Sequence, residues 1–539
     1  MQRMRFRTLL VASLVLGTGS PAAYATIAPK KGVKFPTAFS ERRRGAPAAF
    51  TYTRALMPMV KRIQANRMRL ATGAMTVEAA RAAGGTSISG SRSIPVLLAK
   101  FSNTAADPYP HANLQKELFD GPWPTGTMTE YYKEISYGQF TVTGTVQPWR
   151  GLTKADTHYE GGAGCNGICN TSKVGEFLKD TLDTSDSSVN FASYDNDGPD
   201  GVPNSGDDDG YVDFVAFVHP ESGGECGNSN IWSHRWSYSG WTQGDYTTKD
   251  AKSGGGFIRV NDYVIMPALA CDGSTMIQIG VFAHEFGHAF GLPDLYDTDD
   301  SNGDSEGIGN WCLMASGSWG GDGNTPERPS HMSAWSKEYL GWVNPTLVAA
   351  DLKPATLPRV EDKASVLKIA ISSTQYYLIE NRQPKLFDDK LPTGGVAIWR
   401  INESVVNAGL PNNSVNADEN NKGVDLEEAD GKADLDASAN RGDAGDLFPG
   451  SASKKSFDNA SNPKSVGKIA VCTIGASGDP MTADVLVSTG TCKPDGGTCS
   501  SLGTAQTPGS RSVSGLLLAL PLLMALFFAW RHRPVAAVR

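Results

Sequence analysis

Cysteine is absent from residue 26 to residue 164, and aspartate from 26 to 92. The stretch 26–92 therefore has no thiolate with which to hold a metal. Its only acids are Glu41 and Glu78, set against 13 Lys and Arg, a net of +11. Histidine is scarce, with eight in 539 residues. Basic charge is scarce in the middle of the chain, where 93–510 carries 29 Lys/Arg and 55 Asp/Glu, a net of −26 within a whole-chain net of −8. An acidic body of this kind excludes a nucleic-acid partner, which requires a basic face. It suits solubility outside a cell and calcium binding. Long apolar runs are missing except at the two ends. Leu9 to Leu16 follows Arg3, Arg5 and Arg7 and precedes the small-residue site Ala23-Tyr24-Ala25. It is too short to span a bilayer and reads as a secretory signal peptide over 1–25. Val513 to Trp530, followed by Arg531-His532-Arg533, is just long enough to span despite Pro521. The basic end favours a cytoplasmic C-terminus. A retained membrane anchor and a surface-sorting signal processed after export both fit 513–539, reached through a Cys/Gly/Ser/Thr-rich linker over 489–512.

Two of the eight histidines lie four residues apart in His284-Glu285-Phe286-Gly287-His288-Ala289-Phe290-Gly291-Leu292-Pro293-Asp294. Positions i and i+4 share a helix face, so His284 and His288 can hold one metal ion. The apolar run Met276 to Phe282 suits a buried helix leading into them. Glu285 is the expected general base. Gly291 can adopt the left-handed conformation that ends a helix, and the returning chain brings Asp294 up as a third ligand. Three protein ligands with one open position describe a catalytic zinc site rather than a structural one. Downstream, Met314 in Cys312-Leu313-Met314-Ala315-Ser316-Gly317 is placed to form a methionine turn beneath the metal.

The stretch H-E-F-G-H-A-F-G-L-P-D-L-Y-D over 284–297 resembles the active-site motif of the immune-inhibitor-A family of secreted bacterial zinc metallopeptidases, which are metzincin-like. Trp311 to Gly317 resembles that family's methionine turn, and Ser333 to Pro345 the segment closing its catalytic domain. Tyr131 to Phe140 resembles an early strand-and-turn element. Ile379 to Arg382, Gly394 to Arg400 and Gly445 to Gly450 are similar to its post-catalytic β-rich region. The resemblance spans about 94–488 and implies an α+β metzincin-like catalytic domain followed by an antiparallel β-sandwich-like region. It also implies a zinc-dependent endopeptidase, made as a zymogen and acting on extracellular proteins or peptides. The usual metzincin has histidine where this chain has Asp294. A gluzincin-type rival would recruit Glu306 instead. A second rival is a non-catalytic surface adhesin that kept the fold, against which the intact His284, Glu285 and His288 weigh.

The expected organisation is a signal peptide (1–25), a basic propeptide (26–92) and a catalytic domain (93–345), then a β-rich domain (346–488), a linker and the apolar tail. Met57 to Ala80 can form helices, and Gly84 to Ser91 reads as a flexible end. A disordered tail is the alternative reading of 26–92. As a propeptide, it should dock on the acidic catalytic domain by opposite charge and cover the cleft. Glu41 and Glu78 are its only carboxylates able to reach zinc. Strands are expected at Ile94 to Phe101, Val366 to Ile371, Tyr376 to Glu380, Val396 to Ile401, Ile469 to Cys472 and Thr482 to Ser488. The carboxylates Asp195, Asp197, Asp207, Asp209 and Asp213 alternate around glycines in two short stretches. They read either as a calcium site or as a solvated acidic loop, and the resemblance favours calcium. The eight cysteines, at 165, 169, 226, 271, 312, 472, 492 and 499, suggest disulfides in an exported chain. His234 either lines the cleft or is structural.

Overall fold

A strand covered on both faces needs apolar side chains at nearly every position. Val96-Leu97-Leu98-Ala99 and Val215-Ala216-Phe217-Val218 supply them, and both lie at the centre of the main sheet. The computed structural model describes residues 24–29, 33, 57–169, 171–242, 244–299 and 301–492. The main sheet contains β1 (Tyr24–Ala25), β2 (Gly90–Lys100), β3 (Phe140–Val146), β4 (Val215–Ser222), β5 (His234–Ser237) and β6 (Asp262–Leu269). Their spatial order is β1-β5-β6-β4-β2-β3, and the two-residue strand Arg150–Gly151 also pairs with β2. The β6-β4-β2-β3 pairings are parallel, while β5 runs antiparallel to β6 and β1 antiparallel to β5.

Among the helices are α1 (Met57–Ala71), α2 (Val77–Ala82), α3 (Met128–Ile135), α4 (Asp156–Glu160), α5 (Val174–Ser185) and α6 (Ile279–Ala289). Alternation decides what each face meets. Val96, Leu98, Ala216, Val218, Val264 and Met266 join the core that holds α1, α3 and α6. Leu97, Ala99, Val215, Phe217, Tyr263 and Ile265 join a second core built on α5. The 131–140 stretch departs from its expected strand-and-turn form. Residues 128–135 are helical because Thr127 and Glu130 form a reciprocal capping box, and only Phe140 onward is strand. The expected propeptide boundary at 93 falls inside β2. Gly84 to Ser91 is no loose end, because Gly90 donates to Gln139 O and Ile88 to Leu340 O. Met57, Met59, Val60 and Ile63 of α1 are buried in the main core, so apolar contact as well as charge holds this part of the basic segment.

The later region forms β7 (Thr346–Leu347), β8 (Leu352–Leu357), β9 (Leu367–Ala370), β10 (Gln375–Arg382), β11 (Gly395–Asn402), β12 (Val424–Leu426), β13 (Ala470–Cys472) and β14 (Met481–Leu486). One sheet is ordered β7-β9-β10-β11-β12 and the other β8-β14-β13. Both contribute to a shared apolar core. Every strand expected between 366 and 488 is present. The β7–β9 pair is parallel, an exception to the antiparallel expectation. The described residues cluster as one compact unit. Disulfides join Cys165–Cys169, Cys226–Cys271 and Cys472–Cys492, while Cys312 is free and buried. No described helix is long and apolar enough to cross a membrane, and the 513–530 run lies outside the described residues.

A buried charge network joins the two regions. Arg382 on β10 donates through Nε to Asp388 at 2.8 Å and through Nη1 to Trp311 O at 3.1 Å. Glu380 and Glu361 lie 3.5 and 3.7 Å from its guanidinium, and all four charged side chains are fully buried. Removing one member of such a cluster leaves uncompensated charge and costs about 3–5 kcal/mol. Arg382→Ala should lower the unfolding free energy by about that amount. Urea denaturation that shows no loss would contradict the role given to this cluster.

Candidate metal centre

Every residue of α6 is buried, so its histidines must find polar partners inside the protein. Each does so through Nδ1. His284 Nδ1 lies 2.8 Å from Leu313 O, and His288 Nδ1 lies 2.8 Å from Leu292 O. A backbone carbonyl can only accept, so Nδ1 carries the proton in both rings and Nε2 presents its lone pair. The two Nε2 atoms converge on Asp294 Oδ1 at 3.1 and 3.3 Å. Ligand atoms of His284, His288 and Asp294 all lie within 4.8 Å of one another. Two imidazole nitrogens and one carboxylate oxygen form a donor set that fits zinc. Burial alone would raise the Asp294 pKa, but the two histidines outweigh it and hold the carboxyl well below its usual range. Burial would lower His284, but Asp294 reverses that and raises it.

Gly291 adopts φ +78°, the left-handed turn that returns the chain to Asp294. A Cβ on Gly287 would lie 2.5 Å from Met314 Sδ, so the methionine packs directly against the helix carrying the histidines. Leu295 donates to Met314 O at 2.7 Å, fixing the 312–317 turn to the stretch after Asp294. Glu306, the rival ligand, stands apart, accepting from Ser438 at 3.1 Å and from Arg441 at 2.8 Å. His234 is buried between Trp232 O at 2.7 Å and Tyr263 Oη at 2.8 Å, a structural placement on β5.

Glu285 faces the same space, and burial pushes its carboxyl up to about 8. Its Oε1 accepts from the Thr26 amide at 2.9 Å and the Thr26 hydroxyl at 2.6 Å. Residues 24–29 therefore lie over the site. Tyr24 and Ala25 pair with Arg235 and His234. Trp232 Nε1 donates to Thr26 O at 2.9 Å and Trp319 Nε1 to Ile27 O at 2.7 Å. Arg441 reaches Ala28 O and Pro29 O at 2.7 and 3.1 Å. It is a threonine that meets Glu285. Of the two carboxylates considered, Glu78 lies on an exposed part of α2 and Glu41 lies outside the described residues.

Asn413 also escaped the sequence reading. Its Oδ1 accepts from the Asp294 amide at 2.7 Å, and its Nδ2 donates to Asp294 Oδ2 at 2.6 Å. It is fully buried and adopts φ +51°, a conformation asparagine tolerates. This reciprocal pair spans 119 residues, so only the left-handed preference of asparagine marks the position in the sequence.

Of the five aspartates offered for calcium, Asp195 and Asp197 come together, joined by Asp208, which was not among them. Both Asp195 carboxylate oxygens are buried without a hydrogen-bond partner. Burial pushes Asp195 up to about 7 and Asp197 up to about 6. Asp213 is buried beside them and accepts from the Asn196 amide, but it is not one of the three. Asp207 bonds Ser205 and the Asp200 amide, and Asp209 takes the Tyr211 amide.

The arrangement brings together a histidine pair, a carboxylate that could share a metal ion with it, and an adjacent buried glutamate. Residues 113–343 match the family model described as the immune inhibitor A peptidase M6 catalytic domain. The chain is 31% identical over 264 residues to the pre-pro-metalloprotease PrtV of Vibrio cholerae serotype O1, a match covering 44% of this chain and 27% of that protein. It is 34% identical over 228 residues to immune inhibitor A of Bacillus thuringiensis subsp. alesti, covering 40% of this chain and 31% of that protein. The family resemblance read from residues 284–297 is borne out over the matched stretch. The chain spans about a third or less of the length of these curated relatives. Asn413 and Arg441 both lie beyond the matched stretch.

Partners that orient a metal ligand typically contribute 10–100-fold in metal affinity. Asn413→Ala should therefore weaken zinc binding by roughly 10–100-fold in a chelator competition, while Glu306→Ala should leave it unchanged. Unaltered affinity in the first variant, or loss of metal in the second, would contradict this geometry.

Proposed function

We propose that the chain is an exported zinc-dependent endopeptidase of metzincin-like type, made as a zymogen and hydrolysing extracellular proteins or peptides. The observation that carries this reading is the convergence of His284, His288 and Asp294 beside Glu285. Those three residues would hold the zinc ion. Zinc, when bound, polarises the scissile carbonyl and acidifies the attacking water. Glu285 takes the proton from that water and delivers it to the departing amine nitrogen. Its carboxylate is suited to both steps, because burial has lifted its proton affinity toward neutrality. Glu285→Ala should keep its zinc but lose at least ~10²-fold in casein hydrolysis. Near-normal hydrolysis by that variant would refute the mechanism.

Latency follows from Thr26, the first residue after the expected signal peptide, which occupies Glu285 while Trp232, Trp319 and Arg441 hold the carbonyls of residues 26–29. Cover by this short segment, with α1 anchored in the core behind it, replaces a purely electrostatic account of propeptide docking. A hydrogen bond to a charged group contributes roughly 1.5–3 kcal/mol. Since ~1.4 kcal/mol is a decade, losing the two bonds should release activity by about tenfold or more. A chain beginning at residue 30 should therefore exceed one beginning at Thr26 in peptidase rate by that factor. Equal rates would remove Thr26 from the account.

Calcium is the proposed occupant of the Asp195, Asp197 and Asp208 cluster. Three carboxylates, one with both oxygens buried and unpartnered, suit a hard cation with oxygen ligands. Arg62 donates to Asp197 O at 3.0 Å, so this cluster also touches the basic segment. Calcium added at constant zinc should raise the melting temperature, because binding only to the folded chain stabilises it. A flat titration would count against this site. A permanent anchor or a cleaved sorting signal remains the reading of 513–539, with localisation at the cell surface or outside it.

A further inference from the structure

A third group of carboxylates lies on the opposite face of the main sheet from α6. Asp156 and Glu160 open and close the single turn of α4, where i and i+4 share a face. Glu221, near the end of β4, approaches them, and one ligand oxygen from each of the three lies within 4.8 Å of the others. Like charges at this spacing repel. Glu160 is only 7% exposed, and although its carboxyl meets Glu221 and the Ile231 amide, its Oε1 is buried with no hydrogen-bond partner. The neighbouring cations are engaged elsewhere. Lys154 pairs with Glu176 and Asp180, and both His158 and Lys173 pair with Glu176. Among the described residues, no basic side chain forms an ion pair with Asp156, Glu160 or Glu221. A buried carboxylate oxygen beside two more, left without a donor, is costly unless a cation or a proton occupies the gap.

We infer that Asp156, Glu160 and Glu221 form a second divalent-cation site, suited to calcium, that fastens the wall of the cleft. All-oxygen anionic ligands select a hard cation, and the flexible carboxylate set favours calcium over magnesium. The site's position gives it a role. Glu160 O accepts from the Gly167 amide at 3.0 Å, in the loop closed by the Cys165–Cys169 disulfide. From that loop Asn166 donates to Asn228 O and Asn230 O at 2.8 and 3.0 Å, and its carbonyl accepts from the Trp232 amide at 3.1 Å. Trp232 is the residue whose indole grips Thr26 O. A cation here ties α4 to the end of β4 and steadies the strip carrying Trp232 into β5, the strand along which an extended segment lies. Burial first, then Glu221 through its charge and a carboxyl–carboxyl hydrogen bond, and then Asp156 raise the Glu160 carboxyl above its usual range, against the opposing Ile231 amide.

The test uses the full chain carrying Glu285→Ala, to stop proteolysis, and Asp197→Asn, to weaken the first calcium cluster. Calcium alone is titrated by calorimetry at constant zinc. One equivalent should bind, with a dissociation constant on the order of 10⁻⁴–10⁻³ M, the range of extracellular calcium modules. Adding Glu160→Gln and Glu221→Gln should weaken that binding at least ~10-fold, as expected when charged ligands are removed. Without calcium, the same two substitutions should leave the melting temperature unchanged or higher, since they relieve repulsion. Absence of calcium binding in the first background, or undiminished binding after the two substitutions, would overturn the site. A fall in melting temperature in calcium-free buffer would overturn it as well, by showing that the carboxylates hold the fold through something other than a cation.

Discussion

The Asp294 carboxylate is fully buried, with two imidazoles on one oxygen and an asparagine amide on the other. A charge so far from water is tolerable only with partners that compensate it, here the Asn413 N–H on Oδ2 and a cation in the space between Oδ1 and the two Nε2 lone pairs, which further groups hold in place. Those partners come from separated stretches of the chain. The imidazoles stand on α6, but their outer nitrogens are fixed by Leu292 O in the following turn and Leu313 O in the 312–317 turn. Asn413 arrives from the region beyond the matched peptidase segment. The centre thus closes only when the helix, the 312–317 turn and the later β region are packed together. Trp311 shows the same coupling. It lies just before the methionine turn, gives its carbonyl to Arg382 and its indole to Asp446 at 2.8 Å. The β-rich region is therefore part of what builds the candidate metal centre.

The cleft is organised by the same logic of satisfied backbone groups. The free edge of β5 is taken by Tyr24 and Ala25, and the next four carbonyls are met by Trp232, Trp319 and Arg441. An extended segment lying on an edge strand with its carbonyls held by fixed donors is bound through its backbone, largely irrespective of its side chains. Thr26 adds the side-chain contact that reaches Glu285.

Local patterns made much of this legible in the sequence. The i, i+4 histidines, the glycine that turns the chain and the methionine downstream are all short-range signals, and each is where its spacing placed it. The β-rich region was readable because strands such as Val396 to Ile401 alternate between turns. The helix at 128–135 is signalled by its capping box, Thr127 and Glu130, which begins upstream of the 131–140 stretch that carries the family likeness. Thr26 and Asn413 were hidden for another reason. Each acts on a residue more than a hundred positions away, and no local period encodes such a pairing. Asp208 was hidden by choosing alternate positions in a run of three aspartates, whereas the loop turns the middle one inward.

The central claim is that one metal is held by two histidines and Asp294. The most direct test is an anomalous difference map, recorded at the zinc edge, from crystals of the zinc-loaded chain. The account predicts one strong peak within about 2.0–2.2 Å of His284 Nε2, His288 Nε2 and an Asp294 carboxylate oxygen. A peak that lacks Asp294 as a neighbour, or one coordinated by Glu306, would contradict it.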